Sequence, residues 1–407
     1  MWGGLLDRAL RRMIRRGTLR VTYPDAQTTT YGDGNGPDVG VRLHSPRILR
    51  RLALRPELAV GEAYMDGTLT VDDDDLHGLI ELALINLRGE RVWWQRWSEA
   101  ARDLLRHMQQ YNPAPRARRN VAHHYDLSGA FYELFLDADR QYSCAYFRDA
   151  GDSLERAQAQ KKAHVAAKLL LRPGLRVLDI GCGWGGMALT LARDHGVEVL
   201  GITLSEEQHR HATERVARAG LSGRVAIRLM DYRAVEGRFD RIVSVGMFEH
   251  VGAPHFRTYF RKVHDLLTDD GVALIHTIGR TTPPGSTNPW IAKYIFPGGY
   301  VPALSEVAAA IEREDLWPTD VEVWRLHYAR TLRHWHDRFM ANRDKVVALY
   351  DERFARMWRF YLVASEQTFV HDRQCVFQFQ LARRQQAVPL TRDYLYPSAP
   401  DLRAAAE

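Results

Sequence analysis

The chain has 407 residues, 45% of them hydrophobic, enough to bury at least one large core and to fold as two domains rather than one. Lys and Arg outnumber Asp and Glu by 56 to 50, and the formal charge of +6 favours polyanions or anionic membranes without choosing between them. Cys144, Cys182 and Cys375 form no CxxC pair, which argues against a disulfide framework or a metal site, and no apolar run approaches the roughly 18 to 20 residues that span a bilayer. The Arg-rich start lacks the apolar stretch of a signal peptide, so a soluble or peripheral protein of a reducing cytosol is expected.

Residues 1 to 20 place Leu5, Leu6, Ala9, Leu10, Met13 and Ile14 on one side of a helix and Arg8, Arg11, Arg12 and Arg15 on another. A basic amphipathic helix of this kind either lies in an anionic headgroup layer or docks on its own domain and solvates its arginines. Short alternating segments follow, Leu19 to Tyr23, Thr28 to Tyr31 and Val39 to Leu43, broken by Gly32-Asp-Gly-Asn-Gly-Pro37, and they read as strands of a small α+β domain. Asp72 to Asp75 precede the apolar-periodic Leu76 to Leu87, where capping of a helix N-terminus is favoured over metal binding. A helix with Trp93, Trp94 and Trp97 leads to Asn112-Pro-Ala-Pro115 and Arg116, Arg118 and Arg119, the composition of a linker. The expected division is 1–105 as an N-terminal domain, 106–120 as linker, 121–390 as a second, larger domain and 391–407 as a tail.

Beyond residue 121, strand and helix signals alternate as in a doubly wound α/β sheet. Candidate strands are Arg176 to Ile180, Glu198 to Thr203, Ala226 to Met230, Arg241 to Val245 and Val272 to Thr277, with helices such as Ser205 to Ala219 and His255 to Leu267 between them. The first strand runs into Gly181-Cys-Gly-Trp-Gly-Gly186, where Gly181, Gly183 and Gly185 let the backbone approach a ligand at the strand's carboxyl end. Asp179, inside that strand, suits a ligand amino group rather than a pyrophosphate, so S-adenosylmethionine fits better than NAD. Thr203 and Gln208 can supply hydrogen bonds at the end of the second strand, and Asp231 and Tyr232 can bracket an adenine after the third. Thr203, Ser205 and Gln208 equally fit a helix N-cap and its first turn, and the two roles can coexist.

Several segments together resemble the cyclopropane-fatty-acyl-phospholipid synthases and the related mycolic acid cyclopropane synthases and unsaturated-lipid methyltransferases. They are His123-His-Tyr-Asp-Leu127, Gln141-Tyr-Ser-Cys-Ala-Tyr146, Val177 to Gly186, Phe239 to Val251, His276-Thr-Ile-Gly279, Lys293-Tyr-Ile-Phe-Pro-Gly298 and the region of Tyr328. The resemblance implies a Rossmann-like class I methyltransferase domain preceded by a small α+β lipid-binding domain, S-adenosylmethionine as methyl donor, and the cis double bond of an unsaturated phospholipid as acceptor. It implies that Tyr142 and Ser143 close over the methionine end of the cofactor, with Trp184, Leu204 and Ser205 among its contacts. It also implies a bound bicarbonate that removes a proton from the transferred carbon, with Cys144 and Ile278 as mainly backbone contacts and Glu249, His276 and Tyr328 as side-chain partners. Phe248, Trp290, Tyr294, Phe296 and Tyr300 suit an acyl pocket that excludes water from a developing cation, although about half of them are expected to be core.

Some members carry a cysteine where this chain has Ser365, and Cys375 is not its equivalent, so thiol catalysis is left out. The rival within the same fold is a methyltransferase leaving a methyl-branched or methylated unsaturated chain. Nucleic-acid methylation is disfavoured because Ser244-Val-Gly-Met-Phe-Glu-His250 is not an Asn/Asp-Pro-Pro-aromatic motif. A non-catalytic lipid-binding protein would not need the glycine turn. The expected partner is the anionic cytoplasmic face of the inner membrane, with a homodimer implied by the family.

Overall fold

The computed structural model describes residues 2–87, 110, 112 and 127–396. The Trp93, Trp94 and Trp97 helix, most of the 106–120 linker, His123 to Asp126 and the tail beyond 396 lie outside the described residues. The chain divides into two compact units. One combines residues up to Gln109 with Gly285–Gly299 and Tyr328–Gln374; the other takes Gln110–Pro284, Tyr300–His327 and the chain from Cys375 onward. A division by chain position puts 285–299 and 328–374 with the catalytic residues, whereas in the fold both segments belong with the N-terminal unit.

In the N-terminal unit, β1 (Thr18–Thr22), β2 (Thr28–Gly32), β3 (Asp38–Leu43) and β4 (Leu69–Val71) form a sheet in the order β2-β1-β3-β4. Helix α1 (Trp2–Met13) turns Leu6 and Leu10, with Ile14 just beyond it, into the core formed with Leu19, Val21, Val41 and Leu52. Burying each such side chain stabilises by about 1.5–3 kcal/mol, so the apolar face of α1 docks on its own domain and the arginines remain outside. Among the described residues, helices α2 (Pro46–Leu54), α3 (Pro56–Met65) and α4 (Leu76–Leu87) also belong to the unit's N-terminal part. The acidic run is divided by role: Asp75 Oδ1 accepts the Gly78 N–H at 2.9 Å in the first turn of α4, Asp72 takes the Arg42 guanidinium and Asp74 that of Arg359.

Segment 285–299 is tied to α3 through a buried carboxylate. Glu62 accepts from Lys293 Nζ at 2.6 Å and Tyr294 Oη at 2.7 Å, and Trp290 packs against Gly61 so closely that a Cβ there would collide with the indole. The long helix Glu352–His371 lies along α3 and α4, with Glu366 meeting His77 and Arg333.

The second unit is built on a seven-stranded sheet in the order β10-β11-β9-β8-β5-β6-β7: β5 (Arg176–Ile180), β6 (Glu198–Thr203), β7 (Val225–Leu229), β8 (Phe239–Val245), β9 (Leu267–Arg280), β10 (Trp317–Trp324) and β11 (Gln374–Ala382). Strands β5 to β9 pair in parallel and β10 pairs antiparallel to β11. Val177, Leu178 and Ile180 are all buried, as a central strand covered on both faces requires. The order reverses between β6 and β8 across β5, and open α/β sheets bind ligands at the carboxyl ends of strands at such a switch point. This is the Rossmann-like α/β fold expected from the sequence.

Candidate active site

After Ile180 the chain reverses through Gly181-Cys-Gly-Trp-Gly185 and enters the helix Gly186–His195. Gly181 sits at φ +83°, a left-handed conformation that costs other residues strain, and a Cβ there would press on the Met247 side chain. The turn opens a cavity at the carboxyl ends of β5 to β8. Tyr142, Ser143, Asp179, Gly181, Gly183, Trp184, Thr203, Leu204, Gln208, Asp231 and Tyr232 all line it. Ser205 does not: its hydroxyl accepts the Gln208 N–H at 3.3 Å as the N-cap of Glu206–Arg218. Thr203 serves both purposes, accepting the Ser205 N–H at 3.2 Å and donating to Gln208 Oε1 at 2.8 Å.

Asp179 is 2% exposed, and its Oδ2 has no hydrogen-bond partner in the protein. Burial pushes its carboxyl up to about 7, with Lys161 pulling the other way. A buried acceptor left open at a cavity wall fits a cationic N–H donor, which is what the amino group of a methionine moiety offers. Asp231 caps the short turn Tyr232–Ala234 by accepting the Arg233 N–H at 2.9 Å, and the Tyr232 ring meets Tyr259 edge-on at 5.2 Å. The Trp184 ring is covered by the Arg140 guanidinium at 5.3 Å. Arg140, Met247 and His250 also line the cavity without having been singled out from the sequence. Arg140 has φ +55°, a placement no local motif announces.

Glu249 lies in the turn Phe248–His250 after β8. Its Oε1 accepts the Ile278 backbone N–H at 2.6 Å, while its Oε2 is buried with no partner in the protein. Burial pushes this carboxyl up to about 7. Ile278 therefore spends its N–H on Glu249 rather than holding it free. His276, on β9, is 1% exposed, edge-on to Trp324 at 5.1 Å, with Nδ1 3.1 Å from Gln378 Nε2. Burial, reinforced by the charges of Lys161 and Lys168, holds it well below the usual imidazole range and so neutral. Cys144 is fully buried with its Sγ 3.4 Å from the Ala145 carbonyl. Tyr328 belongs to the other unit, where its ring packs on Phe369 and Trp335 at 4.9 and 5.8 Å.

Among the aromatic candidates, Phe248 and Tyr300 are part of the hydrophobic core of the second unit, Phe248 stacking on Phe256 at 4.5 Å. In the N-terminal unit Trp290 is 1% exposed and donates to Met65 Sδ, Tyr294 donates to Glu62, and Phe296 packs edge-on to Tyr361 at 5.9 Å.

Residues 113–379 match the family model for mycolic acid cyclopropane synthetase, and residues 5–88 match that of a domain of unknown function. The cyclopropane-fatty-acyl-phospholipid synthase of Escherichia coli K12 is 38% identical over 340 residues, covering 83% of this chain and 86% of that protein. The tuberculostearic acid methyltransferase UfaA1 of Mycobacterium tuberculosis is 36% identical over 403 residues, covering 93% of this chain and 91% of its own. Among solved structures, mycolic acid cyclopropane synthase CmaA1 complexed with SAH and CTAB superposes with a TM-score of 0.62 at 33% identity, over 67% of this chain and 99% of that one.

Proposed function

This chain belongs to the mycolic acid cyclopropane synthetase family of S-adenosylmethionine-dependent, lipid-modifying methyltransferases, and from that premise we propose that it converts the cis double bond of an unsaturated phospholipid acyl chain into a cyclopropane ring. The observation that carries the reading is the pair of buried carboxyls, Asp179 at the end of β5 and Glu249 just after β8, each with one oxygen left open. S-adenosylmethionine, when bound, supplies the one-carbon unit from its sulfonium centre. Asp179 receives the ammonium, the Gly181 to Gly185 turn admits the ligand backbone, Tyr142 and Ser143 close its methionine end, and Thr203, Leu204 and Gln208 with Asp231, Tyr232 and Trp184 hold the nucleoside. Ser205 acts on this set through the helix it caps.

An alkene is a weak nucleophile, and ring closure needs a base for one proton of the added carbon. Bicarbonate, when bound, supplies that base. Glu249 and the neutral His276 fit a small oxyanion: a carboxyl poised near 7 takes a proton from the ion or gives one to it, and an imidazole N–H donates. The family resemblance adds the backbones of Cys144 and Ile278 to the same ion. With its N–H already on Glu249, Ile278 serves the ion by orienting that carboxyl.

Among the described residues no helix is long and apolar enough to cross a membrane. We infer peripheral attachment to the anionic cytoplasmic face of the inner membrane, supported by exposed arginines of the N-terminal unit such as Arg8, Arg12, Arg47 and Arg50. A second reading, a methylated product without a ring, is favoured by the name of the tuberculostearic acid methyltransferase relative. Mass spectrometry of fatty acids from cells that make the protein and contain cis-monounsaturated phospholipids separates the two. A gain of about 14 mass units with the double bond lost and a ring resolved by NMR is expected. The same gain without a ring establishes the second reading, and unchanged lipids overturn both.

A further inference from the structure

The helix Leu154–Lys168 presents two buried polar side chains, Gln158 and Lys161, to the cavity-lining segment that carries Tyr142 and Ser143. Lys161 has 0% exposure, and an ammonium taken out of water is costly unless partners meet it. Its Nζ donates to Gln141 Oε1 at 2.7 Å and to Ser143 Oγ at 2.8 Å, both neutral groups. Less than one turn earlier, Gln158 Nε2 donates to the backbone carbonyls of Gln141 at 3.2 Å and Ser143 at 2.9 Å. Four hydrogen bonds therefore clip 141–143 to this helix, and all three residues of the clipped loop line the cavity. A methionine would fill the space of Lys161 equally well, but it would leave Gln141 Oε1 and Ser143 Oγ without this donor.

Asp179 lines the same cavity with its Oδ2 open. We infer that Lys161 is a positioning residue for the amino-acid end of the cofactor, fixing the Ser143 hydroxyl at the wall of the cavity that Asp179 also lines. This rests on assigning the cavity to S-adenosylmethionine and is independent of the lipid product. Electrostatics agree with the geometry. Burial raises Asp179 to about 7, and the Lys161 charge is the named influence that opposes it. Burial in turn lowers Lys161 to about 8, with Asp137, Asp139 and Cys144 supporting its charge and Lys162 opposing it. Cys182 is the other titratable group coupled to Asp179, and its thiol stays protonated.

Two ligands separate this role from general support of the fold: S-adenosylhomocysteine, which carries the amino-acid end, and 5′-methylthioadenosine, which lacks it. Measured by calorimetry on the full chain, Lys161→Met should weaken S-adenosylhomocysteine about tenfold or more at neutral pH and change methylthioadenosine by less than about twofold. For the unaltered protein, S-adenosylhomocysteine affinity should fall as pH drops through about 7 and Asp179 protonates. In the variant that midpoint should move to higher pH, while methylthioadenosine stays flat. If circular dichroism shows Lys161→Met unfolded, Lys161→Gln keeps a donor for Ser143 without the charge and should still move the midpoint. Equal loss of both ligands, or an unmoved midpoint, overturns the inference. Binding of neither ligand by the unaltered protein overturns the cofactor assignment itself.

Discussion

Glu249, in the turn after β8, and His276, on the adjacent strand β9, have opposite electrostatic histories. Burial raises the acid to about 7, whereas it pushes the base well below the imidazole range. For an acid with a raised folded value, the unfolded chain loses its proton first, so stability falls as pH rises from the ordinary carboxyl value through 7. A histidine buried neutral acts the other way: stability falls as pH drops below about 6.5, where the unfolded chain takes up the proton. Glu249→Gln should therefore match the parent near pH 4 and become progressively more stable than it as pH rises through 7. Thermal unfolding of both proteins across that range checks the difference, and a constant gap would mean that Glu249 is not held up by burial. On activity, the same variant should lose about 10²-fold or more in kcat while binding S-adenosylhomocysteine unchanged. A parallel loss of cofactor affinity would assign Glu249 to the nucleotide instead.

At the scale of elements, local rules account for more than the site does. Ser205, Ser153 and Asp351 each accept an N–H in the first turn of a helix, and Asp75 does the same for α4. Asp75→Ala should cost about 1 kcal/mol, and Leu10→Ala on α1 about 2–5 kcal/mol, because Leu10 packs into the N-terminal core rather than waiting for a lipid surface. Denaturant titration followed in the N-terminal unit measures both, and a neutral Leu10→Ala would contradict the docked α1. The parallel strands β5 to β9 were legible as apolar runs between helical segments. Strands β10 and β11 were not, because Trp317–Trp324 and Gln374–Ala382 are separated by three helices and pair antiparallel, outside the alternating pattern.

For the molecule as a whole, the exposed Arg8, Arg12, Arg47 and Arg50 lie in the N-terminal unit, whereas the cavity at the glycine turn lies in the other. If anionic lipid is met through the arginines of the N-terminal unit, vesicle sedimentation of the full chain should weaken as salt is raised. Reversing Arg8, Arg12 and Arg50 together to Glu should weaken it further without altering S-adenosylhomocysteine binding. Undiminished sedimentation on anionic vesicles would remove this face from the membrane reading.

Local sequence is enough for the parallel strands β5 to β9, the glycine turn and the candidates Asp179, Thr203, Gln208, Asp231 and Tyr232, because strand periodicity, positive φ at glycine and helix capping are properties of a few consecutive residues, whereas Tyr142, Ser143, Trp184 and Leu204 came from the family resemblance and meet the others in one cavity. The tertiary structure alone decided that the apolar face of α1 is spent on its own core, that 285–299 and 328–374 join the N-terminal unit, and that Ile278 gives its N–H to Glu249. It also revealed Lys161 beneath Ser143. Burial, open hydrogen-bonding groups and the fields of distant charges depend on what other segments bring to the same place, and no local pattern encodes that.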